Sequence, residues 1–334
     1  MELVKRGFQF LVSIHSKLIH KYYQHIYRKR KLKTFLMGVG CLYLLRRFSQ
    51  LGMALTPSIR RNLIGRYGEE SWAIVTGGSD GIGKEFCIQL AKQKFNIALV
   101  GRNQKKMDQV CLELQSFGVQ TKFIVADFND GYTEEFYNKI YQQVEYLDIS
   151  LLVNNVGVRE AGQFEQQRME DSFMMLRVNA LSTLMMTRVL INKLQNRNKK
   201  SAVITISSGQ AYLPNPFLSV YSGTKAFTNY FTQSLALTSK NIDFLSVTPL
   251  SVNTDMMNNK KESYTIETKE LVQNVINDLR EGKTHSFGCY KHKRIINHLL
   301  WRNQKYRNNA KIKMGVDLRN IHQQQNRLEE EQQK

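Results

Sequence analysis

Between residues 71 and 247 short apolar runs recur, and helical-length stretches separate nearly all of them. The runs are 71–76 (SWAIVT), 96–100 (NIALV), 122–126 (KFIVA), 149–153 (ISLLV), 202–206 (AVITI) and 243–247 (DFLSV). After the first run, Ile82, Phe86, Leu90 and Ala91 fall on one side of a helix. A polar helix is predicted over about 103–116 and another over 218–240. Near-continuous apolar strands alternating with helices imply a parallel sheet covered on both faces. The predicted fold is therefore α/β, a doubly wound parallel sheet. No second break in composition lies inside 71–289, so one catalytic-sized domain is expected over 67–290.

Outside that centre the pattern changes. In residues 1–66, Leu11, Ile14, Leu18, Tyr22 and Ile26 fall three and four apart on one helix face. A basic cluster, RKRKLK at 28–33, precedes the apolar run FLMGVGCLYLL at 35–45. As a helix that run reaches about 16 Å, at a rise of about 1.5 Å per residue, against a hydrocarbon core about 30 Å thick. The segment is expected to associate with a membrane, whether spanning it or lying on it; the alternative is a helix that covers the globular core. The late start of the run does not suit a cleaved signal peptide. Residues 291–320 repeat the theme, with Ile295, Ile296, Leu299, Leu300 and Trp301 beside Lys291, Lys293, Arg294 and Arg302. Residues 321–334 form a polar tail rich in Gln and Glu.

The 334 residues carry a formal net charge of +20. Residues 1–70 hold 14 Lys and Arg against three Asp and Glu, and residues 290–334 hold 11 against four. The centre, 71–289, holds 23 against 21. A nucleic-acid partner is not expected, because the surplus flanks amphipathic stripes and leaves the folded centre near neutral. Cys41, Cys87, Cys111 and Cys289 are scattered, with no metal-ligand spacing, so buried free thiols and no metal are expected.

Candidate chemistry sits at the ends of the strands. Thr76-Gly77-Gly78-Ser79-Asp80-Gly81-Ile82-Gly83 joins the first strand to a helix. Backbone there can approach a pyrophosphate, and the helix N-terminus favours its charge. The spacing is GxxxGxG rather than GxGxxG, and a glycine-rich turn without a ligand would use the same residues. At the second strand end, Arg102, Lys105 and Lys106 occur where a fold preferring NAD would place an acid, which favours the 2′-phosphate of NADP(H). Strand 202–206 runs into Ser207-Ser208, and Tyr221 and Lys225 share a face of the helix over 218–240. An ammonium beside a phenol lowers its pKa and makes it usable for acid/base work, and a nearby serine can polarise the reacting oxygen. A Tyr-x-x-x-Lys pair alone is common on ordinary helices.

Taken together these residues resemble the short-chain dehydrogenase/reductase superfamily, a Rossmann-type fold. The set comprises TGGSDGIG, Asp127 after the third strand, Asn154-Asn155-Val156-Gly157 after the fourth, Asn179, Ser208 and YSGTK at 221–225, in order over about 71–255. TGGSDGIGK, LLVNNVG and ISSGQAYLPNPFLSVYSGTKAF, with Pro214 and Pro216, are similar to one branch. That branch holds the very-long-chain 3-oxoacyl-CoA reductases and microsomal 17β-hydroxysteroid dehydrogenases.

The resemblance implies the following roles. Tyr221 exchanges the proton at the substrate oxygen; Lys225 lowers its pKa and binds the nicotinamide ribose; Ser208 orients the carbonyl; Asn179 holds a water of the proton relay. Gly77, Ser79, Gly81, Ile82 and Gly83 frame the pyrophosphate of NADP(H). Arg102 meets the 2′-phosphate, Asp127 the adenine, Asn154 the adenosine side of the pocket, and Thr254 the carboxamide. Residues 256–283 form the substrate lid, and helices at about 165–196 and 218–240 pair across a homodimer. The implied activity is NADPH-dependent reduction of a 3-oxoacyl-CoA in fatty-acid elongation at the endoplasmic reticulum membrane, on its cytosolic face, beside other elongation enzymes. The alternatives are a 17β-hydroxysteroid dehydrogenase and a catalytically silent membrane-bound scaffold. Two features depart from the family pattern: Pro249-Leu250 stands where Pro-Gly is usual, and the chain ends LEEEQQK without a paired lysine.

Overall fold

The computed structural model describes residues 16–21, 24–25, 31, 33–34, 37–38, 40–45, 63–257 and 262–301. The chain divides into two compact units, Met1–Arg60 and Arg61–Lys334. In the first, all described residues are helical. The large apolar side chains Leu42, Tyr43, Leu44 and Leu45 are exposed there. Leu18 of the amphipathic stripe is exposed too, while Leu11, Ile14, Tyr22 and Ile26 lie outside the described residues, as does everything after Trp301.

The second unit begins with α1 (Leu63–Tyr67) and alternates β1 (Trp72–Thr76), α2 (Gly81–Ala91), β2 (Asn96–Gly101), α3 (Gln104–Gln115), β3 (Thr121–Val125), α4 (Glu134–Gln142) and β4 (Ile149–Asn154). It continues with α5 (Met169–Gln195), β5 (Ser201–Ile206), α6 (Ser219–Thr238), β6 (Ile242–Val247), α7 (Thr268–Arg280), β7 (His285–Ser286) and α8 (Tyr290–Trp301). The seven strands form one sheet in the order β3-β2-β1-β4-β5-β6-β7, and every pairing is parallel. The doubly wound expectation is met, and the six anticipated strands fall within a residue or two of their runs. The seventh was not anticipated, because a two-residue strand carries no apolar run to read.

Sequence chemistry explains the element boundaries. The Asp80 carboxylate accepts from Gly81 N at 2.7 Å at the start of α2, and Asn103 Oδ1 accepts from Lys106 N at 3.0 Å at the start of α3. Each satisfies a backbone donor that a helix N-terminus leaves without an internal partner. Strands β1, β2, β4 and β5 are buried along their whole length. One apolar cluster joins the sheet to α1, α2, α3 and α7, and a second joins its other face to α4 and α5. Among the described residues only α5 is long and apolar enough to cross a membrane. Its Met186, Leu190 and Leu194 are packed in the second cluster, as in a helix that covers a sheet. Because strand order reverses between β1 and β4, their carboxyl ends open a crevice.

Three expectations need correction. A single lid over 256–283 does not form. Leu271, Val272, Val275, Ile276 and Leu279 of α7 are buried in the first cluster, so this helix packs on the sheet. The apolar stripe of α8 is divided: Ile296 is in the core, while Leu300 and Trp301 are exposed. Of the four thiols only Cys87 and Cys111 are buried; Cys41 is exposed and Cys289 half-buried.

Two histidines, His292 buried and His285 half-buried, tie down the C-terminal end. His292 Nδ1 accepts from Leu250 N at 3.2 Å, and Nε2 lies 2.9 Å from Tyr264 O, which assigns the proton to Nε2. His285 Nε2 lies 2.8 Å from both Tyr212 Oη and Thr248 Oγ1. Burial holds both imidazoles below the ordinary histidine value. The unfolded chain therefore takes up these protons more readily than the folded one, so stability is full above about pH 6.5 and is lost on acidification. Urea midpoints should fall below about pH 6.5, by up to about 1.4 kcal/mol per pH unit for each histidine. His292→Asn should flatten part of that slope. A midpoint that does not move between pH 7 and 5 would contradict two histidines held in the neutral form.

Candidate active site

The crevice is floored by the glycine loop. Gly77 has φ +65° and Gly81 φ +51°, a region that disfavours side chains. At Gly83 a Cβ would lie 2.1 Å from Gly77 O and 2.5 Å from Asn155 Nδ2. No side chain fits at Gly83, so α2 starts hard against the loop, with its N-terminal N–H groups facing the crevice. Ser79 lies beside the end of β2, where a Cβ on Gly101 would meet its Oγ at 3.9 Å. Ile82, on the first turn of α2, packs partly on the first cluster.

Asn155 fastens this loop. Its Nδ2 donates to Thr76 O at 3.0 Å and Gly77 O at 3.2 Å, and its backbone N donates to Thr76 Oγ1 at 2.9 Å. Asn154, expected on the adenosine side, is buried and donates from Nδ2 to Thr187 Oγ1 of α5 at 3.0 Å. Its side chain thus braces β4 against α5. Thr254 approaches the loop from the opposite wall, its Cγ2 3.2 Å from where a Cβ on Gly81 would lie.

At the ends of β2 and β3 a cavity of about 880 Å³ is lined by Arg102, Asn103, Lys105, Ala126, Asp127 and Asp130, among others. The Asp127 carboxylate accepts from Asn129 N at 2.9 Å and lies 3.9 Å from Arg102 Nη1. The Arg102 side chain is 73% exposed, so that weak contact leaves it free to meet an anion. Lys106 is differently committed: its ammonium binds Asp80 and holds that carboxyl below the usual range. A side-chain-free cradle, a helix N-terminus and a cavity with uncommitted cations fit an adenine dinucleotide bearing a phosphate.

The reacting centre lies across the crevice. Asn179 occupies a π-helical turn, Leu176–Leu181, within α5; such turns gather at functional sites. Its Oδ1 accepts from Val158 N at 2.8 Å, and its Nδ2 donates to Val158 O at 2.9 Å and Thr224 Oγ1 at 3.1 Å. Ser207 and Ser208, at the end of β5, point to different places. Ser207 Oγ donates to Lys225 O at 2.7 Å, whereas Ser208 Oγ accepts from Gln210 N at 3.2 Å and lies close enough to Tyr221 to act on its phenol. Burial pushes the Tyr221 phenol up; the charge of Arg159 and the Ser208 hydroxyl pull it back. Burial draws Lys225 down to about 8. Lys225 Nζ donates to Ile206 O at 2.8 Å and sits 5.8 Å from the Tyr221 ring centroid. Arg159 adds its charge to the lowering of the Tyr221 pKa that was expected of Lys225 alone.

Asn155 and Arg159 were not among the residues singled out from sequence. The doubled asparagine after an apolar strand signalled Asn155. Nothing local signalled Arg159, whose role depends on the fold.

A parallel sheet with this cradle and a Ser–Tyr–Lys centre defines an oxidoreductase of alcohol and carbonyl groups. Residues 71–265 match the family model described as short chain dehydrogenase. A very-long-chain 3-oxoacyl-CoA reductase of Anas platyrhynchos is 35% identical over 66% of this chain and 72% of its own. A 17-beta-hydroxysteroid dehydrogenase type 3 of Danio rerio is 32% identical over 66% and 73%. Among solved structures, a short-chain dehydrogenase of Sphingobium yanoikuyae in complex with NADPH superposes with TM-score 0.61 at 22% identity, covering 66% of this chain and 88% of that one. The chain belongs to the short-chain dehydrogenase family. It is an oxidoreductase acting between CH–OH and C=O, in a family that works with a nicotinamide cofactor.

Two glycines give a paired test of the cradle. Gly83→Ala must displace the Gly77 carbonyl, so NADPH affinity, followed by the cofactor's fluorescence, should fall about tenfold or more with the circular dichroism unchanged. At Gly223, on an exposed turn of α6, a Cβ meets nothing within 4 Å. Gly223→Ala should retain NADPH binding and gain roughly 0.4–1 kcal/mol of stability. Equal losses of NADPH affinity in both variants would contradict the cradle.

Proposed function

We propose that the protein reduces a 3-oxoacyl-CoA to the 3-hydroxyacyl-CoA with NADPH, in the elongation of long fatty acids. The observation that carries the reading is the Ser208–Tyr221–Lys225 centre, with Tyr221 and Lys225 buried, beside a cleft whose outer cavity holds Arg102 and Lys105. The names of relatives at 34–38% identity support the acyl substrate, and the NADPH complex of the structural neighbour supports the cofactor.

Gly77, Ser79, Gly81, Ile82 and Gly83 would hold the pyrophosphate, Arg102 the 2′-phosphate, Asp127 the adenine, Lys225 the nicotinamide ribose and Thr254 the carboxamide. When bound, NADPH supplies a hydride for the carbonyl carbon. Ser208 orients the carbonyl oxygen, and Tyr221 gives that oxygen its phenolic proton. The burial that raises Tyr221 suits this direction, because it keeps the donor protonated at neutral pH. Lys225, near 8, lies close enough to neutrality to pass a proton back towards the phenol. A Cβ on Gly157 would lie 3.4 Å from Asn179 Oδ1 and 3.5 Å from Lys225 Nζ, so the missing side chain leaves these two groups open to each other for the relay.

The 17β-hydroxysteroid dehydrogenase reading shares this machinery, and the Danio rerio relative favours it. A long acyl chain or a steroid partitions into lipid, which fits the exposed apolar residues 42–45 and the basic flanks. The location we propose is the endoplasmic reticulum membrane with the domain on the cytosolic face, near other elongation enzymes. Phe227 and Tyr230 of α6, both exposed, fit pairing with a second copy.

Detergent-solubilised protein should oxidise NADPH with 3-oxoacyl-CoA of graded chain length faster than with a 17-ketosteroid; the reverse order would select the steroid reading. Tyr221→Phe should lose about 10²–10⁴ in kcat while binding NADPH normally, and full activity in that variant would contradict the proton donor. Arg102→Leu should raise KM for NADPH by about tenfold or more and leave that for NADH unchanged. Equal KM changes for both cofactors would remove Arg102 from the 2′-phosphate.

A further inference from the structure

Arg159 follows the β4 end through a segment fixed at both sides. Asn179 pins Val158 by its N–H and its carbonyl, and the Val158 side chain packs on the cluster that contains Tyr221. From this foothold the Arg159 side chain crosses the crevice mouth. Its Nη2 donates to Met256 O at 3.1 Å and its Nη1 to Met257 Sδ at 3.5 Å, on the turn Asp255–Met257. That turn directly follows Thr254, which touches the glycine loop. The guanidinium thus bridges the wall bearing Tyr221 and the wall bearing Thr254.

Its two partners are a peptide carbonyl and a thioether, both neutral. Among the described residues no carboxylate pairs with Arg159, in contrast to Arg66, Arg197 and Lys106, each held by an aspartate. A half-buried cation whose charge is not neutralised, one residue beyond the Val158 that packs with Tyr221, is set for a second electron-rich oxygen of the substrate. Val158, the residue before it, packs on the cluster that contains Tyr221, so such an oxygen would sit close to the reacting one. A 3-oxoacyl thioester has this form: its C1 carbonyl is two carbons from the C3 ketone. An isolated ketone, such as a 17-ketosteroid, offers nothing at that place.

We infer that Arg159 is the specificity-determining residue for a 1,3-dicarbonyl substrate, donating hydrogen bonds to the thioester carbonyl oxygen while Ser208 and Tyr221 hold the ketone oxygen. The inference rests on the acyl reading above and deepens it. The planar fork of arginine suits it, because one N–H can turn to the substrate while the other stays on the Met256 carbonyl. Holding C1 fixes which face of C3 is presented and keeps the reacting carbonyl in register.

The test compares the full-length wild type with Arg159→Leu and Arg159→Lys. Each is assayed with NADPH on a C16 3-oxoacyl-CoA, on the same acyl group as a phosphate-free pantetheine thioester, and on a long-chain methyl ketone. The quantity read is the ratio of kcat/KM for each thioester to that for the ketone. This ratio cancels whatever the arginine charge does to Tyr221, which both substrates share. In Arg159→Leu the ratio should fall about 10- to 100-fold for both thioesters, with Arg159→Lys between it and the wild type. NADPH affinity, read by fluorescence, should stay unchanged, and the affinity for the 3-hydroxyacyl-CoA product, read by calorimetry, should weaken. An equal fall for thioester and ketone would overturn the inference and leave the acyl reading standing. A fall confined to the CoA ester would overturn it in favour of a phosphate contact. A wild type that reduces the ketone but neither thioester would overturn both.

Discussion

The approach of α2 to the carbonyl of Gly77 is the constraint on which the site depends. A Cβ at Gly83 would come within 2.1 Å of that oxygen, so the helix can start at this point only if the residue has no side chain. With α2 so close, Asn155 is in reach of the Thr76 and Gly77 carbonyls, and Thr76 Oγ1 collects the N–H groups of Asn155 and Val156. The ends of β1 and β4 are thereby clamped together at the point where strand order reverses. From β4 the segment runs through Gly157 and Val158 to Asn179, and from Asn179 to Thr224 on α6. Thr224 Oγ1 closes the chain by donating to Tyr221 O at 2.7 Å. The glycine loop and the helix that carries Tyr221 are thus parts of one hydrogen-bonded frame.

Within that frame burial does most of the electrostatic work. It raises Tyr221 and lowers Lys225 for the same reason: removal from water disfavours whichever form is charged. The consequences differ. Tyrosine becomes a held proton, while lysine comes within reach of neutral pH. Arg159 brings a charge that acts back on the phenol, from a loop rather than from the helix that carries the Tyr–Lys pair.

The sequence made the sheet legible because parallel strands buried on both faces are apolar throughout, and runs such as ISLLV and AVITI stand out without any period. The Gly77–Gly83 loop, Ser208, Tyr221 and Lys225 were legible because their chemistry demands residue types in a fixed order. What escaped was set by tertiary placement. Asn154 and Asn155 are adjacent and chemically identical, yet one braces α5 and the other holds the glycine loop. Helix α7 looked like part of a lid, since a helix with one apolar face packs equally well over a substrate or a sheet; its packing in the core with α2 decides for the sheet. In α8, nothing in the sequence distinguished His292, which the fold buries between Leu250 and Tyr264.

The charge distribution follows the same logic of place over total. Of the formal +20, residues 1–70 and 290–334 hold +11 and +7, and the domain between them is near neutral. A near-neutral domain offers little general attraction for a cofactor phosphate, so individual cations must supply it. Two adjacent lysines on the first turn of α3 are divided by their neighbours: Lys106 is bound to Asp80 at the start of α2, while Lys105 lines the outer cavity with Arg102. The Asp80 carboxylate also caps α2 through Gly81 N, and the lysine offsets its charge beside the glycine loop proposed to hold the pyrophosphate. Without Lys106 that carboxylate would repel the phosphates it stands beside. A lysine engaged with a protein acid can therefore favour the ligand as much as a free one, by silencing the acid that a well-capped helix requires.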